Sequence, residues 1–366
     1  MKFIINREKI LPALQQIVSV IEKRQTMPIL SNVLIAAEHD ALYLTGTDLE
    51  IQIITKLNIN IEFTGSITVP AKKFLDICRL LPQDAEIKFE LQNDKVKILS
   101  NRSRFTLNCL PSNNYPEFSE IELINVIYIN SGKFKKALDK TLFCMANQDV
   151  RYYLNGLLIN ISNNNLKLVA SDGHRLSIYE DTLNEITGIE SRIIFPRKGV
   201  HELSKLLDDP ETELKIEFSS SNLRVHFNNI VFSAKLIDSK YPDFSKIFHQ
   251  EFFAPIQIPR LPLKDALTRV SILSHEKLKG ITLDINSINL KISSHNLEHD
   301  EAEEEVSINY DGTPISIAFN AQYLLEAISN LDSEYALITV AKNLTSCFIE
   351  EPSDSIYKFI VMPMRL

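Results

Sequence analysis

The sequence predicts an α+β protein built from three tandem repeats, each with two helices packed on antiparallel sheets. Three observations support this fold class. An amphipathic segment occurs three times, a strand–turn–helix segment occurs three times, and pairs of alternating strands fill the chain between them. The period is about 125 residues, and self-similarity at a fixed period is typical of repeat architectures. Cutting between copies gives three domains, residues 1–124, 125–251 and 252–366.

The first element of each repeat is an amphipathic helix. In the first copy Ile10, Leu14 and Ile17 recur at helical spacing and form one apolar stripe. Alanine–leucine pairs mark the same turn in the three copies, at 13–14, 137–138 and 266–267. The spacing predicts helices over 131–145 and 262–273 in the second and third copies.

The second helix of each repeat follows a strand directly. SITVPAKKFLDICRLLP, RIIFPRKGVHELSKLLDD and ISIAFNAQYLLEAISNLDS share this order. Pro70, Pro196 and Asn320 mark the helix starts, because proline lacks the N–H that is unpaired there and asparagine can cap the first turn. The pattern predicts helices over 70–81 and 197–207.

Strands of alternating polarity fill the rest of each repeat, roughly eight per copy. A polar turn separates two of them, and Asp48, Asp172 and His295 are the corresponding residues of that turn. Strand pairs in the first two copies end at the similar turns 115–118 and 241–244. The third copy ends the sequence with CFIEEPSDSIYKFIVMPMRL.

Charge is distributed unevenly along the chain, whose net charge is −8. The first third has 14 basic and 15 acidic residues, whereas the last third has 9 and 16, with six acids among the eight residues 298–305. The polar helix faces carry many cations, and this bias suits contact with phosphate backbones without base reading. These cations are Lys72, Lys73, Arg79, Lys133, Lys135, Lys136, Lys140, Arg197, Lys198, Lys205, Lys264 and Arg269.

Several classes of protein are disfavoured by what the sequence lacks. It contains no G-x-G-x-x-G, Walker A, G-x-S-x-G or H-E-x-x-H motif, so we expect no nucleotide cofactor, no metal and no enzyme activity. The four cysteines are scattered without C-x-x-C spacing, which fits a reducing compartment. We found neither a signal-peptide pattern nor an apolar run of membrane-spanning length, and we expect a cytoplasmic protein.

Seven segments in order along the chain resemble one family. They are GTDLE (46–50), VPAKKF (69–74), MANQDVRYYLNG (145–156), SDGHRL (171–176), FPRKGV (195–200), SKYPDF (239–244) and VMPMRL (361–366). Together they resemble the beta subunit of bacterial DNA polymerase III, the sliding clamp, over essentially the whole chain. The resemblance implies a ring of two head-to-tail chains with helices lining a hole for duplex DNA. It also implies a non-catalytic processivity factor that binds the replicative polymerase, an ATP-driven clamp loader, and other polymerases and repair proteins.

The resemblance assigns three sets of residues. Those matching DNA contacts are Arg24, Lys72, Gln148, Tyr152, Tyr153 and Lys198. Those matching a pocket for partner peptides are Leu154, Ser171, Gly173, His174, Arg175, Leu176, Pro242, Lys246, Ile247, Asn320, Tyr323, Leu344, Ser346, Ile360, Val361, Met362, Pro363, Met364, Arg365 and Leu366. Those matching the dimer contact are Lys73, Arg102, Arg104, Phe105 and Leu107 on one edge, and Ile272, Leu273, Glu298, Asp300, Glu301 and Glu304 on the other.

Residue chemistry supports two of these assignments. A cationic edge in the first repeat would meet the acidic run of the third, with Phe105, Ile272 and Leu273 as the apolar centre. Pro363 cannot donate to a strand ladder, so the final methionines should leave the sheet and face an apolar groove, with Arg175 and Ser346 as polar anchors.

Two alternatives remain open at this stage. One is a repeat scaffold that does not bind DNA. The other is a metal-dependent hydrolase that uses Asp172, His174, His299 and the carboxylates of 298–305. The hydrolase is disfavoured because carboxylates along one segment seldom converge on an ion without turn-forming glycines, and none lies between Gly280 and Gly312.

Overall fold

The computed structural model describes residues 1–21, 27–118, 123–353 and 356–365, and within them it contains six α-helices and 25 strands. The helices are Arg7–Val20 (α1), Ala71–Leu80 (α2), Ser131–Leu142 (α3), Arg197–Leu206 (α4), Arg260–Val270 (α5) and Ala321–Ser329 (α6). Asparagine side chains cap α1, α3 and α6: the Asn6 Oδ1 accepts from the Glu8 N–H at 2.8 Å, the Asn130 Oδ1 from the Lys133 N–H at 3.1 Å, and the Asn320 Oδ1 from the Gln322 N–H at 2.9 Å.

The strands are distributed evenly among the repeats. In the first repeat they are Lys2–Asn6 (β1), Asn32–Glu38 (β2), Ala41–Thr47 (β3), Ile51–Asn58 (β4), Ile61–Phe63 (β5), Gly65–Pro70 (β6), Glu86–Gln92 (β7), Lys95–Ser100 (β8) and Ser103–Asn108 (β9). In the second they are Asn125–Asn130 (β10), Gly156–Asn163 (β11), Asn165–Ser171 (β12), Arg175–Thr182 (β13), Ile189–Pro196 (β14), Glu213–Phe218 (β15), Asn222–Phe227 (β16) and Ile230–Lys235 (β17). In the third they are Ile256–Pro259 (β18), Gly280–Ile285 (β19), Asn289–His295 (β20), Glu301–Ser307 (β21), Ile315–Asn320 (β22), Tyr335–Val340 (β23), Cys347–Glu350 (β24) and Tyr357–Val361 (β25).

Two compact units divide the chain, and the middle repeat contributes to both. The first unit comprises Met1–Lys135 and Lys198–Ile237. Its sheets have the orders β5-β1-β7-β8-β9 and β10-β15-β16-β17-β4-β3-β2-β6. Within it α1 packs against α2 and against β3 and β4, and buries Ile10, Leu14 and Ile17. The predicted apolar stripe is therefore the packed face of this helix.

The second unit comprises Lys136–Arg197 and Asp238–Leu366. Its sheets have the orders β14-β11-β12-β13-β25-β24-β23-β18 and β21-β20-β19-β22. Here α5 packs against α6 and against β20 and β21, and Leu263 and Leu267 are buried. All the strand pairs are antiparallel, as the alternating sequence predicts.

The fold class of three α+β repeats is confirmed, while three details differ from the sequence prediction. Helix α5 begins two residues earlier than predicted and gives way to a 3₁₀ turn at Ser271–Leu273. In the third repeat His295 is the last residue of β20, and Asn296 replaces it in the turn by accepting from the Glu298 N–H at 2.9 Å. Asn296 follows Asp172 at the same interval at which Asp172 follows Asp48, so the predicted correspondence was one residue too early.

The third difference concerns Lys140, which we expected on a solvent-facing cationic surface. It is only 7% exposed. Its ammonium group donates to the Asp332 Oδ1 at 2.8 Å and to the Asn330 carbonyl, and it lies 4.6 Å from the ring centre of Tyr357. Lys140 therefore fastens α3 to the loop after α6 within the second unit.

Neither a membrane-spanning helix nor a metal centre is found in the described parts of the chain. No helix there is long and apolar enough to cross a membrane. No group of three or more His, Cys, Asp or Glu side chains there is placed to hold a metal ion, so the carboxylates of the hydrolase alternative do not converge in those parts.

We expect Lys140→Met to lower the thermal unfolding midpoint by about 3 °C, because a buried ammonium group and its hydrogen bonds are lost, at a cost of about 1–2 kcal/mol. The matched control is Lys136→Met, whose ammonium group lies 5.5 Å from the same ring centre. The control should shift the midpoint by less than half as much in a circular dichroism melt. Equal shifts would show that Lys140 does not act as a buried fastener.

Candidate partner-peptide groove and neighbouring surfaces

A mostly apolar groove of about 320 Å³ lies in the second unit, between the middle and third repeats. Ten of the twenty residues predicted for a peptide pocket line it: Leu154, Ser171, Gly173, Arg175, Leu176, Pro242, Lys246, Ile247, Ile360 and Met362. The structure brings them together because β13 of the middle repeat pairs with β25 of the third, which places Leu176 opposite Ile360. A concave apolar site with a few polar groups is the usual form of a small recognition site.

The C-terminal tail leaves the sheet at one end of this groove. Strand β25 ends at Val361, and the next N–H, of Met362, donates to the His174 carbonyl at 2.8 Å. After Pro363 the N–H of Met364 donates to the Ala318 carbonyl of β22 at 2.8 Å. The tail therefore bridges two sheets, with the Met362 side chain 49% exposed beside the groove.

The turn between β12 and β13 forms one wall. The Asp172 Oδ1 accepts from the N–H groups of His174 at 2.9 Å and Arg175 at 3.1 Å. Gly173 has φ +90°, and a Cβ on it would lie 2.8 Å from the guanidinium nitrogens of Arg151. Glycine is thus required here both by the left-handed backbone and by the close approach of Arg151.

Arg175 stabilises this wall and is not a free anchor for a ligand. Its Nε donates to the Asp172 Oδ2 at 2.9 Å, its Nη1 to the Glu326 Oε2 at 2.6 Å and its Nη2 to the Phe143 carbonyl at 2.8 Å. The guanidinium also stacks 4.5 Å from the ring centre of Tyr323. Arg175 therefore lines the groove as part of a fixed wall, and its contact with a ligand stays a prediction.

The loop before Leu154 supplies groove residues that the sequence did not identify. Arg151 donates through its Nε to the Asp149 Oδ1 at 3.0 Å and through its Nη2 to the Asp149 Oδ2 at 2.8 Å. These hydrogen bonds lower the pKa of Asp149 to about 2. Because this ion pair fixes the loop, Arg151 and Tyr153 line the groove. The rings of Tyr153 and Tyr241 meet edge to face, with 6.2 Å between their centres.

The other predicted pocket residues lie around the groove or apart from it. Asn320 caps α6, and Tyr323 stacks on His174 with ring centres 6.3 Å apart. Ser346 is 3% exposed, and its Oγ has no hydrogen-bond partner among the described residues, so it is not available as the expected anchor. The remaining members lie nearby in sequence but outside the lining: Val361 is buried, Pro363 and Met364 are half-buried, Leu344 and Arg365 are exposed, and Leu366 lies outside the described residues.

The predicted DNA contacts are placed differently from one another. Lys72 is exposed on α2, and Gln148 and Tyr152 are exposed on the loop after α3. Tyr153 faces the groove instead, and Lys198 forms an ion pair with Asp48, whose side chain is almost buried. Arg24 lies outside the described residues.

The residues predicted for the dimer contact lie on or beside two edge strands, one in each unit. On β9 and its preceding turn Arg102 and Arg104 are exposed, Phe105 is half-buried and Leu107 is buried, while Lys73 is exposed on α2. On and before β21 Glu298, Asp300 and Glu301 are exposed. Glu304 accepts from the Arg269 Nε at 2.9 Å, which lowers the pKa of its carboxyl. Beside them Ile272 is 75% exposed and Leu273 is half-buried.

Sequence reasoning missed five lining residues as members of the groove: Arg151, Tyr153, Tyr241, Asp243 and Phe244. Three of them belong to the turn 241–244, which was identified only as a repeat marker. This turn could have been assigned to the groove, because it directly precedes Lys246 and Ile247, which the resemblance places in the pocket.

Models of the three domains of the DNA polymerase III beta subunit match the chain: the N-terminal domain at residues 1–119, the central domain at 128–243 and the C-terminal domain at 245–365. The beta sliding clamps of Vibrio cholerae and Escherichia coli are 38% and 36% identical to it over 367 residues, covering 100% of each chain. The crystal structure of the Pseudomonas aeruginosa sliding clamp bound to griselimycin superposes with a TM-score of 0.97 at 38% identity. That of Bartonella birtlesii, also bound to griselimycin, gives 0.96 at 31% identity, and both cover 100% of each chain.

Deleting Met362–Leu366 should abolish binding of a synthetic peptide that carries a Gln followed by Leu and Phe. The deletion removes one groove residue and the two backbone bonds of the tail. Burial of two apolar side chains contributes roughly 3–6 kcal/mol before ordering costs, and polar and backbone contacts must supply the rest of the roughly 8 kcal/mol that micromolar binding by the intact chain requires. Fluorescence anisotropy measures this affinity, and a circular dichroism melt checks that the shortened chain folds.

A second variant, Met362→Ala, keeps the tail and removes only its side chain from the groove. We expect a weaker but measurable affinity for the same peptide. If both variants bind as tightly as the intact chain, the groove is not the peptide site.

Proposed function

The chain belongs to the family of the DNA polymerase III beta subunit, the bacterial sliding clamps, and we propose that two copies close head to tail into a ring around duplex DNA. The family is non-catalytic, and its members act as the processivity factor of the polymerase. The observation that carries the proposal of a closed dimer is the way in which successive repeats share their sheets.

Each repeat offers one strand to the repeat that follows it. Strand β4 of the first repeat pairs with β17, the last strand of the second. Strand β13 of the second repeat pairs in the same way with β25, the last strand of the third. By this rule β21 of the third repeat should pair with β9, the last strand of a first repeat, and both are edge strands of their sheets among the described residues.

The same rule supplies a register for this contact. Gln52 and Leu176 are the second residues of the offered strands β4 and β13, and each lies opposite the last residue of the preceding strand. Glu301 has that opposing position in β21. Their partners across the repeats are Ser233 and Ile360. In the first repeat Leu107 corresponds to Ser233, because Leu107 precedes Tyr115 by the same number of residues as Ser233 precedes Tyr241. Since Ser233 is the partner of Gln52, the residue that corresponds to Glu301, Glu301 should lie opposite Leu107.

Antiparallel counting from that pair places Glu304 opposite Arg104 and Glu303 opposite Phe105. This register places Arg104 and Glu304 on facing strands, where opposite charges stabilise the contact. The exposed Ile272 side chain beside β21 gives the contact an apolar component that a second copy would cover. A heterologous contact of this kind either closes into a ring or extends into a filament, and the family membership supports closure.

Contact with DNA is proposed to be sequence-independent and topological. Helix α2 exposes Lys72, Lys73 and Arg79, and the loop after α3 exposes Gln148 and Tyr152. Side chains of this kind bind phosphates and stack loosely, and none belongs to an inserted recognition element. Direct contacts should therefore be weak and dependent on salt, while the closed ring supplies retention.

The groove is proposed to receive peptides of the replicative polymerase, the clamp loader, and other polymerases and repair proteins. Its apolar lining and its small number of polar groups suit a short segment that many partners could carry. We also propose a cytoplasmic location, where the chromosome of a bacterium lies. Domain boundaries are proposed at 124 and 251, although the second lies within the segment matched by the C-terminal domain model.

The register predicts a specific disulfide between two chains. A protein carrying Ala302→Cys and Thr106→Cys should form a covalent dimer of about twice 41.8 kDa under mild oxidation, because directly opposite residues bring their Cβ atoms within disulfide reach. The matched control carries Ala302→Cys and Arg104→Cys, which is two residues out of register. A non-reducing gel measures the yield. Equal yields, or more from the control, would contradict the register.

If the closed ring holds the protein on DNA, one substitution should weaken direct binding to DNA and leave retention on circular DNA unchanged. Lys72→Ala should weaken binding to a short duplex about threefold at low salt, since one phosphate contact is lost. It should leave loaded protein on a nicked circle, and linearising the circle should release it. Lys97→Ala, at an exposed lysine of β8, is the matched control. Equal retention on circular DNA and on linear DNA with free ends would contradict the ring.

A further inference from the structure

A second, polar cavity of about 650 Å³ lies in the same unit and shares a wall with the groove. Arg175 lines both, and the turn that contains it separates them. Five charged side chains in addition to His174 line the cavity: Asp149, Asp172, Arg175, Arg197 and Glu326. The two positive guanidinium groups and the three negative carboxylates nearly cancel in charge. What the cavity can bind therefore depends on which of these groups form ion pairs with each other.

Each carboxylate already has a cationic partner. Asp149 is held by Arg151, with 2.8 Å between its Oδ2 and the Nη2. Asp172 and Glu326 are both held by Arg175, at 2.9 and 2.6 Å. Arg175 thus balances only one of the two acids that flank it, and the three groups together keep one negative charge.

Arg197 is the exception among these groups. Its Nη1 donates to the Met145 carbonyl, and it forms no ion pair with a residue in the described parts of the chain. It is half-buried, and burial and then the neighbouring Arg175 lower the pKa of Arg197, against a smaller opposing effect of Glu326. A guanidinium that faces a cavity and is not directly paired with a carboxylate has donors left to bind an anion.

We propose that Arg197 forms an anion-binding subsite that receives an acidic side chain of the partner protein whose peptide fills the groove. The inference rests on the proposed function of the groove. The shared wall lets one bound chain occupy both sites. A carboxylate matches the planar guanidinium in a two-point contact.

The test uses the full-length protein and three synthetic peptides. One is the Gln-Leu-Phe peptide described above, and the others add two glutamates through a Gly-Ser spacer to its N-terminus or its C-terminus. One tailed peptide should bind the unmodified protein about fivefold more tightly than the untailed one. The gain should disappear in Arg197→Met and persist in Arg192→Met, because Arg192 is exposed on β14, the strand that precedes α4, and does not line the cavity.

Lysine tails in place of glutamate should give no gain. The proposal is overturned if neither acidic tail helps, if lysine tails help equally, or if Arg197→Met keeps the full gain. It is also overturned if Arg197→Met changes only the affinity for duplex DNA, which would assign this arginine to phosphate. Binding of the untailed peptide tests the groove separately, so its absence would count against the proposed function and not against the subsite alone.

Discussion

The structure depends on one constraint: each repeat leaves a sheet edge that only another repeat can cover. An exposed edge presents unpaired N–H and C=O groups, and a long uncovered edge invites uncontrolled pairing. Here β4 is covered by β17 and β13 by β25, through hydrogen bonds of the same antiparallel type as those within a repeat. The middle repeat is therefore divided between two compact units, since its strands complete the sheet of the first repeat and the sheet of the third.

This sharing of strands also produces the groove. When β25 pairs with β13, Ile360 arrives beside Leu176, and the chain that follows can reach the His174 carbonyl. The polar turn of the middle repeat then lies where two repeats meet. In the first repeat the equivalent Asp48 turn is occupied by an internal ion pair with Lys198. The same turn thus forms an ion pair with another repeat in one copy and a wall of the groove in the next.

Much of the fold could be predicted from the sequence, because apolar spacing reports which face of a helix or strand is buried. The stripe through Ile10, Leu14 and Ile17 and the starts of α2 and α6 were located this way. Lys140 was misplaced because helical spacing identifies the apolar face and is silent about a neighbour that can satisfy a cation. Its partners lie some 190 positions away along the chain. His295 was misplaced by one position because an alternating pattern does not show where a strand ends and which side chain accepts from the N–H groups of the turn, and here Asn296 does so.

The groove was half predictable for a related physical reason. Residues on strands and on the tail, such as Leu176 and Ile360, follow from the repeat and the family resemblance. Arg151 and Tyr153 do not, because their positions depend on the Asp149 clamp and on the space above Gly173, which only the folded backbone defines. The same clamp gives the loop two faces: Gln148 and Tyr152 lie exposed, while Arg151 and Tyr153 line the groove. A short segment held by one carboxylate thus connects the surface proposed for DNA with the site proposed for partners, and any partner that moves this loop would act on both.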